Sequence, residues 1–463
     1  MEEKKAVKTT KRIEMPHILI LIPCLLIFFS ALTYVLPGGT YEFDEAGRVI
    51  PGTFTPGASI PFSPWKALLS IREGVMGAGS TISMMLINAG AVAVILKTEC
   101  FEDIMNYSVY KLQDKSVKVM VPAIVVIMSL LGAFAGGDSL IMFVSVGLVI
   151  CAKLKLDRIC AMAMFYLGYL IGQGASFTSS GLIIVQQLAG VEPLSDMLVR
   201  IPVWIIFTTI NAAYCTRYAL KICGNASKSY VGEILEETEG MEEIKTAVLP
   251  VRSILLAVLL FATFIGYAIG SKAYGWGMDY LCGFVIIMDV IAVIISGMKP
   301  NTAAATFFKG SQSMGGICVV IGAARVIGTI ITKSTIVYSM ANAASVAVGQ
   351  LGVGFACITL FIFILLFNLL IPSMSSKAAI LLPLLCPICD VIGLPRGLLV
   401  TIYMMGDSLT NTLTPVSGPL CGSLGLASVE YQDWVKYSAP LMALLALAGG
   451  CYLIGLVTLG IFA

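Results

Sequence analysis

Charge is what this sequence has least of. Of 463 residues only 12% are charged and 58% are hydrophobic, whereas a soluble globular domain carries about 25% charged residues. So little polar surface excludes a chain that faces water on all sides, and a mean hydropathy of +0.93 makes lipid the expected solvent. Histidine is almost missing. His17 is the single one, which excludes multi-histidine metal sites and Ser-His catalysis. With no activated nucleophile in view, the expectation is a protein that is not an enzyme and holds no metal or organic cofactor. No GxxxxGK[ST] phosphate loop occurs, so nothing points to nucleotide hydrolysis as an energy source. Period-2 alternation is absent, which excludes a β-barrel. The formal net charge is +2 and the basic residues lie in loops, so no nucleic-acid partner is expected. The 13 cysteines are scattered through apolar segments, where they act as small hydrophobes. Cys386-Pro-Ile-Cys389 imitates a redox motif without the βαβ context such a motif needs.

What is present is a duplication. The segment from Cys151 to Pro202 recurs 238 positions later without a gap: Cys151 falls on Cys389, Arg158 on Arg396, Gly168 on Gly406, Ser179 on Ser417, Ala189 on Ala427 and Pro202 on Pro440. Both copies are apolar and interrupted by polar runs, GQGASFTSSG at 172–181 and SLTNTLTPVSG at 408–418. Internal duplication with interrupted hydrophobic segments marks secondary transporters, whose substrate site lies between related halves. A channel is the alternative class, but no filter-like repeat is visible.

Apolar stretches of about 20 residues suffice to cross a bilayer as helix. A first span is expected over 16–36, preceded by a basic tail at 1–15 and too long for a cleavable signal. Further spans are expected near 75–97, 197–217, 251–271, 280–298, 309–332 and 437–462. Lysine and arginine cluster on the side of the N-terminus, which the positive-inside rule makes cytoplasmic. Two segments, 119–152 and 353–392, have like-sided ends and a small polar tip, as re-entrant hairpins do. They enter from opposite faces, as an inverted repeat requires. Each precedes a broken helix, over 159–189 and 397–427. The fold class is therefore all-α and polytopic, with an N-terminal half at 16–218, a cytoplasmic linker at 219–250 and a C-terminal half at 251–463.

Ionisable groups at membrane depth are costly and default to function. Asp138 and Lys377 sit at the hairpin tips, read as Gly136-Gly137-Asp138-Ser139 and Ser373 to Lys377, and Asp407 sits where a helix unwinds. Arg325 follows a glycine-rich stretch; Asp289 reads as a scaffold or interface residue. The candidate substrate shell comprises Asp138, Ser139, Gln173, Ser176, Thr178, Ser179, Arg325, Ser375, Ser376, Lys377, Asp407, Thr410, Asn411, Thr412, Thr414 and Ser417. Asp138 and Asp407 are where a coupling proton or sodium ion would bind. One or two cations against two acids suit an amino acid better than a dicarboxylate.

The stretch SSKAAILLPLLCPICDVIGLPRGLLVTIYMMGDSLTNTLTPVSG, the opening TYVLPGGTYEFDEAGRVIPGTF and the GAARVIG segment together resemble the YfcC family of bacterial carriers. That family is grouped with the DcuC-type anaerobic C4-dicarboxylate carriers and the ion transporter superfamily. The resemblance implies inverted repeats, a scaffold and a transport domain, elevator-type alternating access, a homodimer and a bacterial inner-membrane location. Dicarboxylate carriers of the superfamily bear a Ser-Asn-Thr tip on each hairpin. Here the tips read Gly-Gly-Asp-Ser and Ser-Ser-Lys. Related members exchange arginine and ornithine, which acidic tips would suit.

Overall fold

In the computed structural model the residues described are 18–42, 53–112, 115–135, 143–223, 225–235, 248–349, 352–369, 371–415 and 417–461. Helix dominates, because in lipid every backbone N–H and C=O has to be satisfied within its own segment or by its neighbours.

The chain opens with α1 (Ile18–Leu32) and a short antiparallel pair, β1 (Gly38–Thr40) with β2 (Thr55–Gly57). Then come α2 (Pro64–Leu69), α3 (Ile71–Gly77), α4 (Gly79–Lys97) and α5 (Cys100–Leu112). The first hairpin has arms α6 (Val117–Ala135) and α7 (Phe143–Lys153). The first broken helix is α8 (Arg158–Met162), a π-helical turn over Ala163–Leu167, α9 (Gly168–Gly174) and α10 (Ser180–Ala189). Single spans follow in α11 (Met197–Ile222), α12 (Val251–Tyr274) and α13 (Met278–Ser296). After these lie α14 (Pro300–Ser313), α15 (Gly315–Lys333) and α16 (Ile336–Gly349). The second hairpin has arms α17 (Gly352–Asn368) and α18 (Met374–Ile392). Its broken helix is α19 (Arg396–Asn411) with α20 (Gly418–Ala427), and α21 (Tyr431–Thr458) ends the chain.

Among the described residues, six helices are long and apolar enough to cross a membrane, or seven counting one bent pair. The expected spans at 197–217, 251–271, 280–298 and 437–462 correspond to α11, α12, α13 and α21. Two expectations need correction. The span read over 75–97 is two helices, α3 and α4, bent by 66°. The span read over 309–332 is also split at Met314, whose backbone caps α14 and starts α15. The cause is close packing: α3 lies on α15 and α4 on α14. Gly74 faces the Gly322 carbonyl, and Gly310 faces the Ala89 carbonyl and Ala93. Straight helices would not hold both contacts. Each interrupted helix packs on the arm that begins the preceding hairpin, α9 on α6 and α19 on α17. Cys386 and Cys389 are buried free thiols inside α18.

Candidate functional site

The polar breaks are built alike. After α9, Ser176 Oγ accepts the N–H groups of Thr178 (3.2 Å) and Ser179 (2.7 Å) and donates to the Ala133 carbonyl (2.8 Å). Thr178 Oγ1 donates to that carbonyl too (3.2 Å). Ala133 lies in the last turn of α6, whose carbonyls have no helical partner. In the second break, Thr414 Oγ1 donates to the Leu369 carbonyl, just past α17 (3.1 Å). The second half-helices start on matched caps: Ser179 Oγ accepts from Leu182 N and Ser417 Oγ from Leu420 N. Removing either cap, by Ser179→Ala or Ser417→Ala, should lower stability by about 1 kcal/mol in a thermal melt, with equal losses from the two sites.

The register of 238 also places Gln173 on Asn411 and Ser176 on Thr414. It holds in a reciprocal contact. Arg158 donates to the Ala427 carbonyl (3.1 Å), while Arg396 donates to the Ala189 carbonyl (3.0 Å). Each broken helix thus ties its entry to the far end of the other. Arg200 is buried in α11 and donates to the Ser176 carbonyl (3.1 Å), fixing the first break from outside.

Among the described residues, the second repeat carries charge at its centre. Lys377 Nζ lies 2.6 Å from Asp407 Oδ1, with the two side chains 0% and 2% exposed. Nζ also donates to Asn368 Oδ1 and sits 5.0 Å from the centroid of the Tyr403 ring, a cation–π distance. Asn368 Nδ2 in turn donates to the Asp407 carbonyl (2.8 Å), Thr410 Oγ1 (2.8 Å) and Asn411 Oδ1 (3.0 Å). Asn411 Nδ2 donates to Asp407 Oδ2 (3.1 Å). The last residue of α17, the first turn of α18 and the end of α19 are therefore bound into one buried polar network.

Beside it lies a cavity of about 570 Å³. Its walls are α4 and α14 on one side and α9, α10 and the second hairpin on the other. Asp407, Gln173, Asn411, Asn88 and Ser313 supply polar side chains. Three helix starts meet there: Ser180 and Gly181 of α10, Met374 and Ser375 of α18, Gly418 and Pro419 of α20. Helix N-termini carry partial positive charge and unpaired N–H groups, a natural seat for a carboxylate.

The predicted residues divide as follows. Gln173, Ser375, Asp407, Asn411 and Ser417 line the cavity. Ser176, Thr178, Ser179, Thr410, Thr412 and Thr414 are buried behind it and hold the breaks together; Ser376 is also buried. Lys377 is not at the tip. Helix α18 already begins at Met374, which turns Lys377 inward onto Asp407, so its charge is committed to that carboxylate. Arg325 does not join this cavity either. It lines a separate groove, because α15 runs past the hairpin toward the β1–β2 end of the molecule. Asp138 and Ser139 lie outside the described residues. Asp289 is buried in α13 and both its oxygens are without a partner among the described residues.

Sequence reading missed Asn368, the hub of the network. Its signal was available: it is the one amide in the apolar arm FIFILLFN, one short turn before a serine-rich tip. Tyr403 and Asn88 carried no such mark.

Residues 15–458 match the family described as the C4-dicarboxylate anaerobic carrier. The chain is 25% identical to the putative basic amino acid antiporter YfcC of Escherichia coli (strain K12), over 98% of each chain. It is 24% identical to an uncharacterized protein of Haemophilus influenzae, over 84% of this chain and 78% of that one. Among solved structures, the Alcanivorax borkumensis YdaH transporter superposes with a TM-score of 0.77 at 15% identity, covering 96% of this chain and 99% of that one. Neisseria gonorrhoeae MtrF, from a class of antimetabolite efflux pumps, gives 0.74 at 14%, covering 96% and 95%. At those identities the likeness is one of fold.

Proposed function

Because the chain belongs to the C4-dicarboxylate anaerobic carrier family, a family of multi-pass membrane transporters and not of enzymes, we propose that it is a secondary active carrier of a small amino acid. Arginine- or ornithine-type exchange, or ion-coupled movement, is the form this takes. The relatives give the channel alternative no support. The observation that carries the reading is the charge balance of the cavity. Asp407 is the charged side chain lining it among the described residues, Lys377 already pairs with Asp407, and the remaining positive field comes from three helix starts.

An α-amino acid suits that balance. Its carboxylate is met by the N–H groups of α10, α18 and α20, and its ammonium by Asp407 Oδ2 and the side-chain carbonyl of Gln173. A close pair of that kind is worth roughly 4 kcal/mol at an effective dielectric of about 20, before desolvation. A C4-dicarboxylate is the runner-up, and its second carboxylate finds no uncommitted cation in the cavity among the described residues.

The transport cycle in this proposal is of elevator type. Two inverted repeats, 119–189 and 353–427, supply the hairpins and broken helices, and they move as a body against the remaining helices. The reciprocal bonds of Arg158 and Arg396 support the two-fold relation, and the matched Ser179 and Ser417 caps support the equivalence of the two helix breaks. The cavity is bounded by the end of α4, whose Lys97 belongs to the lysine-rich side, so in this proposal the conformation is open to the cytoplasm. The N-terminus at the cytoplasm, a linker over 219–250 and a homodimer in the bacterial inner membrane complete the proposal. If movement is ion-coupled, Asp407 or Asp138 takes the proton or sodium ion.

A ligand panel on the purified protein tests the substrate class. Arginine or ornithine should raise the melting temperature more than succinate or fumarate, since a ligand at a hundred times its Kd contributes about 2.7 kcal/mol. Gln173→Ala should diminish the shift while leaving the unliganded melt near wild type. Stabilisation by the dicarboxylates alone would establish the runner-up instead.

A further inference from the structure

A second cavity lies end to end with the first. It has a volume of about 500 Å³ and runs between α15 and α18, bordered by the last turn of α10 and the start of α19. Helix α10 passes along both: Ser180, Gly181 and Ile184 line the central cavity, while Gln187, Leu188 and Gly190 line the groove. On α18 the change comes between Ser375 and Ala379, about 6 Å of helix. Between the two lies an apolar seal containing Ala78, Ile184, Ile321 and Ala379, all in one buried cluster. The groove opens toward the β1–β2 end of the molecule, where Ser334, next to Lys333, accepts the N–H of Ile60.

The charged side chains that line it are all cationic. Arg325 and Lys333 line it and are exposed, about 12 Å apart along α15. Neither has an acidic partner among the described residues. Arg396 also lines it but is held by Asp390 through two bonds, of 2.9 and 2.7 Å. Gln187 also lines it. It is 9% exposed, and both its side-chain amide atoms are without a partner among the described residues. A buried amide left unpaired is costly, so a polar guest is what this position lacks. The central cavity, by contrast, carries a charge pair that cancels.

We propose that this groove is a carboxylate-binding vestibule at the end of the transport path remote from the central cavity. Arg325 and Lys333 attract the anionic end of the solute, and Gln187 donates a directional hydrogen bond to it. The inference rests on the carrier reading above and extends it. On the β1–β2 side, recognition begins with the carboxylate shared by amino acids and dicarboxylates, and the choice between those classes is left to the central cavity. A one-signed cleft with low-dielectric walls concentrates ligands of opposite charge.

The test needs no transport. Full-length protein carrying Thr332→Cys, an exposed position in the groove, is placed in phosphatidylcholine nanodiscs. It is treated with a sulfonate-bearing or a trimethylammonium-bearing methanethiosulfonate, and labelling is resolved by peptide mass spectrometry. The anionic reagent should react about tenfold faster than the cationic one. That bias should vanish when Arg325→Gln and Lys333→Gln are added. Succinate should slow labelling severalfold, and choline chloride of equal ionic strength should not. Equal rates for the two reagents, or equal slowing by chloride, would overturn the proposal. So would protection seen only after phosphatidylglycerol is added, which would make a lipid headgroup the occupant. Wild-type protein inactive in every uptake assay, with the Thr332→Cys protein still biased in labelling, would sink the carrier reading and leave the groove standing. Active uptake without labelling bias would do the reverse.

Discussion

Lys377→Met should abolish uptake and lower the thermal stability of the purified protein sharply. The substitution leaves the Asp407 carboxylate buried without its cation and removes the donor to Asn368. Breaking one side of a buried ion pair typically costs 3–5 kcal/mol, whereas replacing both partners by apolar groups of similar volume is often near neutral. The double variant Lys377→Met/Asp407→Leu should therefore recover much of the melting temperature and none of the transport. That pattern separates structure from function at one site. The single loss shows that the pair locks α18 to α19, and the unrestored transport shows that the cavity needs Asp407. Full uptake by the double variant would remove the pair from the mechanism.

The second large effect should come from a glycine. In α9, a Cβ at Gly172 would lie 1.9 Å from the carbonyl oxygen of Ser129 in α6, and a Cβ at Gly132 would lie 2.1 Å from the carbonyl oxygen of Tyr169. The two helices touch backbone to backbone through this glycine pair. Close approach of that kind drives helix association in lipid, where no hydrophobic effect separates helix from solvent. Gly172→Val would push α9 off α6, and with it Gln173 and the Ser176 and Thr178 bonds to Ala133. Overpacking usually costs about 1–3 kcal/mol and more where backbone must move, so a loss of folded, monodisperse protein in size-exclusion chromatography is expected. Gly422→Ala is the control. Nothing lies within 4 Å of its added carbon, and it should behave as wild type.

Much of this arrangement was legible in the sequence because a duplication reports equivalence. The offset of 238 paired Ser179 with Ser417 and Arg158 with Arg396 before any coordinates, and those pairs turn out to make matching bonds. Composition and interrupted apolar runs likewise located both broken helices. Other features escaped for a physical reason. An offset says which residues correspond, not where a helix begins or which way a side chain turns. Lys377 was read as a tip residue because the polar run includes it, yet the helix starts three residues earlier and turns the lysine inward. Arg325 was counted in the substrate shell because a cation after a glycine-rich stretch can face a cavity, though α15 carries it to the other groove. Asn368 was overlooked because one amide in a long apolar arm resembles background until its partners are seen. The bends at Ala78 and Met314 depend on glycine contacts between distant helices, which no local pattern records.

The central claim is that this chain moves an amino acid by alternating access through the Asp407 cavity, and counterflow into proteoliposomes tests it most directly. Vesicles preloaded with unlabelled arginine or ornithine should accumulate external radiolabelled arginine faster than empty vesicles, and Gln173→Ala should blunt the acceleration. Uptake indifferent to internal amino acid, or accelerated only by internal succinate or fumarate, would contradict the account.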